Sequence, residues 1–460
     1  MSRRGADADT RPIAARHPSR AVMSAGCPGQ GPRPTGVGAG ESSEPIRHYG
    51  MLESRARSRT RNDLLQVFSG DVAGKAMAVV TSLVIVRWSD ATGLGVFSLF
   101  LALQNVLSQV SELGTGLSIV KRLSSAVPGS SAFARTLRAG ALLRAFVFAG
   151  LLLPLLAVSY LLRDDGAWSL ALRFSVLSTL ALSFLTFALA FHQATGRFRV
   201  LATLRVGDSG LRLALILLML ATVGFRIELV LGIYFLGPLL VGLIGCASPA
   251  RHLRGAHATR EDVLSLLHFS KWVMVASMAG TFVLQTDVML LSAFARTAEV
   301  GTYGAALRMV VPLQMVAGSI ATVLLPRLSS IGEGITREEV YRRSRRWVGL
   351  FALGACALGL LAAPIIFRFF PQYLDSVPLF RVLCVGQAAA LAAVPSICVL
   401  YAEERARTLA WLGAGQLIGN VIAGVAVIPK YGAMGAAVVT TATLVVGAVG
   451  AVWLASRRTG

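Results

Sequence analysis

Residues 282–295 read FVLQTDVMLLSAFA and set one carboxylate, Asp287, among apolar neighbours. Similar isolated charges recur along the chain: the basic Lys75, Arg144, Arg212 and Arg308, and the acidic Asp71, Glu112 and Asp208. The amides Gln104, Asn105, Gln285 and Gln314 also interrupt apolar runs. Their chemistry is limited but specific. A guanidinium or ammonium receives phosphate oxygens, a carboxylate holds a proton or a sodium ion, and an amide hydrogen-bonds a hydroxyl. Asp71/Lys75 and Asp208/Arg212 are each spaced i, i+4, so each pair shares one helix face. The plain alternatives are acid–base pairs that only neutralise each other, long side chains that snorkel, and interhelical hydrogen bonds.

The elements that must position these groups follow from composition. The chain is 55% hydrophobic and 15% charged, with a mean hydropathy of +0.66, far from the roughly 25% charged of an ordinary soluble domain. Twelve apolar stretches of about 20 residues, the length that crosses a hydrocarbon core of ~30 Å, lie near 64–86, 94–117, 137–162, 168–191, 202–222, 227–248, 269–293, 303–325, 347–368, 379–400, 407–428 and 433–455. They are continuous rather than alternating, which predicts helices and not barrel strands. At ~1.5 Å per residue, Lys75 lies roughly 16 Å beyond Leu64 and Arg212 roughly 15 Å beyond Ala202, too deep for easy snorkelling.

Lysine and arginine placement supplies the orientation. With the N-terminus inside, twenty-one basic residues fall in inside loops and the C-terminal tail, against eight outside, as cytoplasmic enrichment requires. Both termini are therefore expected in the cytoplasm. Residues 1–60, rich in Arg, Gly, Pro and Ser, are expected to form a disordered basic tail that contacts anionic lipid rather than nucleic acid; Met51 is an alternative start. The five cysteines form no C-x-x-C pair and the histidines no i, i+4 pair, so no metal site is expected. No catalytic nucleophile motif or nucleotide-binding loop is present, so the chain reads as neither an enzyme nor an ATPase.

The chain also repeats. FSGDVAGKAM at 68 matches FSKWVMVASM at 269, GVFSLFLALQNVL at 95 matches GTYGAALRMVVPL at 301, and KRLSS at 121 matches PRLSS at 326. A duplicated unit of six helices predicts two like-oriented lobes: 61–250 and 269–460, joined by a cytoplasmic linker at 251–268. Asp287 and Arg308 fall near the external ends of helices seven and eight, at similar depth, so they are expected to pair. Their repeat positions, near Thr81 or Ser82 and Ala102 or Leu103, carry no such pair.

VRWSDATGLGVFSLFLALQNVLSQVSELGTGLSIVKRLSS, QTDVMLLSAFARTAEVGTYGAALRMVVPLQ and LLPRLSS resemble the polysaccharide-transporter, or O-antigen flippase, family of the multidrug/oligosaccharidyl-lipid/polysaccharide (MOP) exporter superfamily, over about 64–455. The resemblance implies a MATE-like fold of twelve helices in the bacterial inner membrane. It also implies a flippase that moves undecaprenyl-diphosphate-linked oligosaccharides outward for surface polysaccharide biosynthesis, with membrane lipids, a polysaccharide polymerase and glycosyltransferases as expected partners. No cofactor is expected beyond possible coupling to H+ or Na+. Lys75, Arg144, Arg212 and Arg308 are then candidates for the diphosphate; Asp71, Asp287, Glu112 and Asp208 for the coupling ion or charge pairing; Gln104, Asn105, Gln285 and Gln314 for sugars. The alternatives are a drug or cation antiporter of the same superfamily and a non-transporting envelope-assembly scaffold.

Two further features concern packing and surface. Pro154, Pro238, Pro312, Pro364 and Pro395 can kink spans, and Gly232/Gly237/Gly242 and Gly415/Gly419 permit close helix contact. TREEVYRRSRRW at 336–347 reads as a short basic interfacial helix opened by a Thr336–Glu339 capping box.

Overall fold

The computed structural model describes residues 69–126, 130–161, 166–253, 257–330, 335–403 and 405–457. The basic tail at 1–60, with Cys27 and Met51, lies outside the described residues. Everything described is helix or short connection: α1 (Ser69–Trp88), α2 (Ala91–Glu112), α3 (Thr115–Ser125), α4 (Ser131–Val147), α5 (Leu153–Leu161), α6 (Ala167–Ala194), α7 (Phe198–Thr222), α8 (Ile227–Leu253), α9 (Arg260–Phe294), α10 (Thr297–Ser330), α11 (Ile335–Arg368), α12 (Ser376–Ala402) and α13 (Ala406–Ser456).

Local chemistry sets the breaks. Asp90 caps α2 by accepting the Gly93 N–H at 3.0 Å. Leu113 and Gly114, with φ of 45° and 67°, enter the left-handed region and separate α2 from α3, a conformation that glycine tolerates and leucine does not favour. Between α4 and α5 the chain makes a π turn at Phe148–Leu152, just ahead of Pro154, so the two form one long helix with a local bulge. In α8, Pro249 has no N–H for the Gly245 carbonyl. His192 Nε2 occupies that carbonyl at 3.2 Å, which makes this nitrogen the protonated one.

Ten helices among the described residues are long and apolar enough to cross a membrane, so this is a multi-pass membrane protein. α7, with 25 residues, carries Arg199, Arg205, Asp208 and Arg212 and adds a further helix of spanning length. At 51 residues α13 would run about 77 Å if straight, and it turns at Gly432, φ 53° and ψ −134°. A Cβ at Gly432 would overlap the Glu299 carboxylate, and that carboxylate accepts the Ala433 N–H at 2.7 Å. The two arms of α13 account for two crossings, and the arrangement is compatible with twelve.

Packing differs between the two ends of the bundle. Where α1 turns into α2, one core joins both halves of the chain: Ile85, Phe97 and Tyr234 from α1–α8 meet Leu291, Tyr303, Phe367, Phe380 and Ala436 from later helices. Towards the opposite end the clusters separate. Phe133, Leu137 and Phe191 pack together within the first half, and Leu328, Tyr341 and Val399 within the second. Leu266 of α9 joins the former cluster, and Arg122 donates to Ser265 Oγ and its carbonyl at 2.9 and 2.8 Å.

Two expected boundaries shift. Residues 260–268, read as linker, are already the first turns of α9, opened by a capping box between Thr259 and Asp262. The Thr259 N–H and hydroxyl donate to the Asp262 carboxylate at 2.9 Å and hold it below the usual aspartate value. The separate interfacial helix expected at 336–347 is instead the first part of α11, unbroken from Ile335 to Arg368. Glu338 and Arg342, i to i+4 along it, pair at 2.9 Å and help continue the helix.

Candidate functional site: a cleft between the two halves

Between α1 on one side and α10 and α11 on the other lies a cavity of about 1170 Å³. Its walls are mainly apolar, with Val72, Val79, Met315 and Val348 among them, while Lys75, Arg327 and Arg343 are its charged lining; among the described residues no carboxylate lines it. The cleft sits at the end where the cores have separated. Its last residues towards the α1–α2 turn are Val80 on α1 and Pro312 on α10.

Beyond Pro312 the halves close on each other. Gly95 of α2 and Gly301 of α10 sit so near that a Cβ on the first would overlap the Thr297 carbonyl and on the second the Ala91 carbonyl. Small residues at a crossing let backbones approach, which matters in a membrane, where association rests on close packing rather than on escape from water. Arg308 Nη1 donates to Ser98 Oγ on α2 at 3.3 Å and to the Gly304 carbonyl at 3.1 Å. Its guanidinium lies 4.8 Å from the Phe97 ring centroid. In the turn from α11 to α12, Tyr373 Oη donates to the Ser89 and Asp90 carbonyls at 3.0 and 2.9 Å, and Gln372 Nε2 to those of Val86 and Arg87 at 3.2 and 3.0 Å. These bonds tie the second half to the α1–α2 turn.

The acid–base pairs lie beside the cleft. Asp71 binds Lys75 and Arg205, each at 2.6 Å; Asp208 pairs with Arg212, whose guanidinium lies 5.1 Å from the Tyr234 ring. The two i, i+4 spacings therefore place partners in contact. Lys75 remains half-exposed, at 46% of its side chain, and lines the cleft; Arg212 does not. Arg205 falls at the start of the 202–222 span and is not among the sequence candidates. Arg205, Asp208 and Arg212 fall at i, i+3 and i+7 on α7, one face, and that pattern could have found it.

The expected Asp287–Arg308 pair does not form. Asp287, 2% exposed, accepts hydrogen bonds from Tyr303 Oη, from Thr440 Oγ1 at 3.1 Å and from the Val288 N–H at 2.7 Å. Arg308 faces α2 instead. The reason is where α10 begins: at Thr297, not near 303. Asp287 lies eight residues before Ala295, Tyr303 seven after Arg296 and Arg308 twelve after it. The antiparallel partner at the depth of Asp287 is thus Tyr303, and Arg308 is about 7 Å deeper.

The other candidates are scattered. Arg144 lines a separate cavity within the first half, and Glu112 is the last residue of α2. Gln104 is buried, Gln285 half-buried, and Asn105 and Gln314 exposed; none of these four lines the cleft. The structure brings together Asp71, Lys75 and Asp208 around a small side pocket of about 170 Å³.

A family model described as "Polysaccharide biosynthesis protein" matches residues 62–332, more than half of the chain. The chain belongs to the polysaccharide biosynthesis protein family. A putative O-antigen transporter of Shigella flexneri is 22% identical over 209 residues, which are 45% of this chain and 50% of that one; the family member thus spans about half the length of the curated relative it matches. An inward-facing multidrug resistance MATE family transporter of the MOP superfamily superposes with a TM-score of 0.67 at 15% identity, covering 85% of this chain and 96% of the other. The lipid II flippase MurJ, in an inward closed conformation, superposes with a TM-score of 0.65 at 14% identity, over 86% and 87%. The fold is therefore the all-helical MOP fold expected from the sequence.

Proposed function

We propose that this chain is a flippase-type transporter that moves undecaprenyl-diphosphate-linked oligosaccharide units across the bacterial inner membrane, from the cytoplasmic to the external leaflet, by alternating access. The observation that carries the reading is the cleft: mainly apolar walls with three basic residues and, among the described residues, no carboxylate, sealed towards the α1–α2 turn by a core common to both halves. A diphosphate crossing hydrocarbon meets a barrier of a few to more than ten kcal/mol per bare charge. Lys75, Arg327 and Arg343 offset that charge at the mouth while the lipid chain follows the apolar wall. The names of the O-antigen transporter and of the lipid II flippase are consistent with such a substrate. Basic lining also weighs against a cation-exporting antiporter, which would place acids there.

In this reading Lys75 is a diphosphate ligand, and the α2–α10 crossing with Tyr373 and Gln372 is the gate that opens as the cleft closes. Asp287, held by Tyr303 and Thr440 behind that gate, is the proposed site for a coupling proton or sodium ion. The supporting test is genetic. Deletion should abolish surface polysaccharide, the wild-type chain should restore it, and Lys75→Ala at equal expression should restore less than a tenth. Full polysaccharide in the deletion strain, together with sensitivity to lipophilic cationic drugs, would move the assignment to the antiporter.

A further inference from the structure

Arg144 occupies a site of its own. It is 5% exposed and lines a second cavity, of about 440 Å³, built from α2, α4, α6 and α8. That cavity shares no residue with the cleft between the halves. One guanidinium nitrogen is engaged: Nη1 donates to the Ser183 carbonyl at 2.7 Å and to Thr186 Oγ1 at 3.0 Å. Nε and Nη2 are buried and have no hydrogen-bond partner. Glu112 acts on Arg144 through its charge, but among the described residues no carboxylate reaches Nε or Nη2.

A buried guanidinium with no carboxylate in direct contact is costly, and Arg presents its donors as a planar fork that matches phosphate or carboxylate oxygens. The rest of the wall is mainly apolar, with Phe148, Leu180, Phe184, Phe187 and Leu253, and Ser111, Ser183 and Cys246 complete it. Ala145, Phe184 and Ala250 are exposed and border the cavity, so it reaches the surface of the helix bundle. The volume is in the range of small-ligand pockets, about 300–1,000 Å³. The π turn Phe148–Leu152 starts one turn after Arg144, so α4 widens where the pocket needs room.

We propose that this pocket binds one acidic phospholipid, its phosphate on the Arg144 guanidinium and an acyl chain along the Phe148–Phe184–Leu253 wall. The site holds a lipid as a fixed part of the first half, apart from the transport path. It stands whether or not the cleft carries a lipid-linked oligosaccharide.

Cys246 lines the same pocket and reports on it. The full-length protein is purified in detergent, stripped of lipid and given phosphatidylglycerol, phosphatidylcholine or inorganic phosphate. Alkylation of Cys246 is then followed by peptide mass spectrometry, with the half-buried Cys356 as internal reference. Phosphatidylglycerol should slow Cys246 alkylation at least tenfold in the wild type and less than twofold in Arg144→Gln. Native mass spectrometry should show one retained phosphatidylglycerol, lost in Arg144→Gln and in Ala250→Trp, which fills the mouth and leaves the arginine in place. Equal protection by phosphatidylcholine, full protection by inorganic phosphate, or unchanged retention in the folded Ala250→Trp protein would each overturn the assignment.

Discussion

Arg308 on α10 reaches Ser98 on α2 at 3.3 Å and makes no ion pair with Asp287, only 21 positions earlier in the chain. One side chain thus stitches the two halves of the bundle together, while the other is held inside the second half by Tyr303 and Thr440. In the proposed alternating-access cycle the first belongs to a contact that must break. The second is a buried carboxylate that donors, and no cation among the described residues, surround.

The gate is testable by size. Gly301 approaches α2 so closely that any side chain meets the Ala91 carbonyl. Gly301→Val is expected to hold that end apart, raising thiol accessibility in a Ser89→Cys reporter and cutting transport more than tenfold. Gly318, on the same helix with no atom near its missing Cβ, is the control: Gly318→Ala should leave transport within twofold.

For Asp287 the expectation separates stability from coupling. Tyr303→Phe removes one donor to a buried carboxylate and should cost about 1–3 kcal/mol of stability, read by thermal unfolding in detergent. Asp287→Asn should abolish the ion dependence of transport, measured against imposed proton and sodium gradients. An unaltered ion response would remove Asp287 from that role.

At Asp71 the two partners should behave differently. Both ion pairs are part-exposed, so Lys75→Ala and Arg205→Ala should each cost no more than about 1 kcal/mol. Only Lys75 lines the cleft. Lys75→Ala should therefore lower transport about tenfold and Arg205→Ala less than threefold.

The start of α9 carries a pH signature. Hydrogen bonds from Thr259 hold Asp262 below its ordinary value of 3.8, so the folded state favours the carboxylate. The stabilisation is complete above that value and is lost as the pH falls through the lower folded value. Amide exchange in the first turn of α9 should therefore accelerate relative to the rest of the helix below about pH 4, and Asp262→Asn should show that fraying already at neutral pH.

Much of the scaffold was legible because length and hydropathy are local quantities: runs near 94–117, 168–191 and 379–400 correspond to α2, α6 and α12. The i, i+4 pairs were legible for the same reason, since a helix fixes which residues share a face. Asp287 and Arg308 were not. Their partners depend on where α10 starts, and a six-residue difference at that boundary exchanges Tyr303 for Arg308 at the depth of the carboxylate. Thr440 was beyond reach altogether, 153 positions away on an arm of α13 whose direction is set by the break at Gly432. Arg144 illustrates the remaining difficulty: its depth could be read from the sequence, but which of two cavities it lines is decided by how α4, α6 and α8 pack.

The central claim is that the basic, apolar-walled cleft passes a lipid-linked diphosphate from one leaflet to the other. The direct measurement is reconstitution of the full chain in liposomes whose inner leaflet carries an undecaprenyl-diphosphate-linked oligosaccharide, with arrival at the outer leaflet read by an added lectin or glycosidase. The account predicts movement that depends on the protein, falls about tenfold in Lys75→Ala and stops in Gly301→Val. No protein-dependent movement in liposomes where the same preparation exports a lipophilic cation would contradict it.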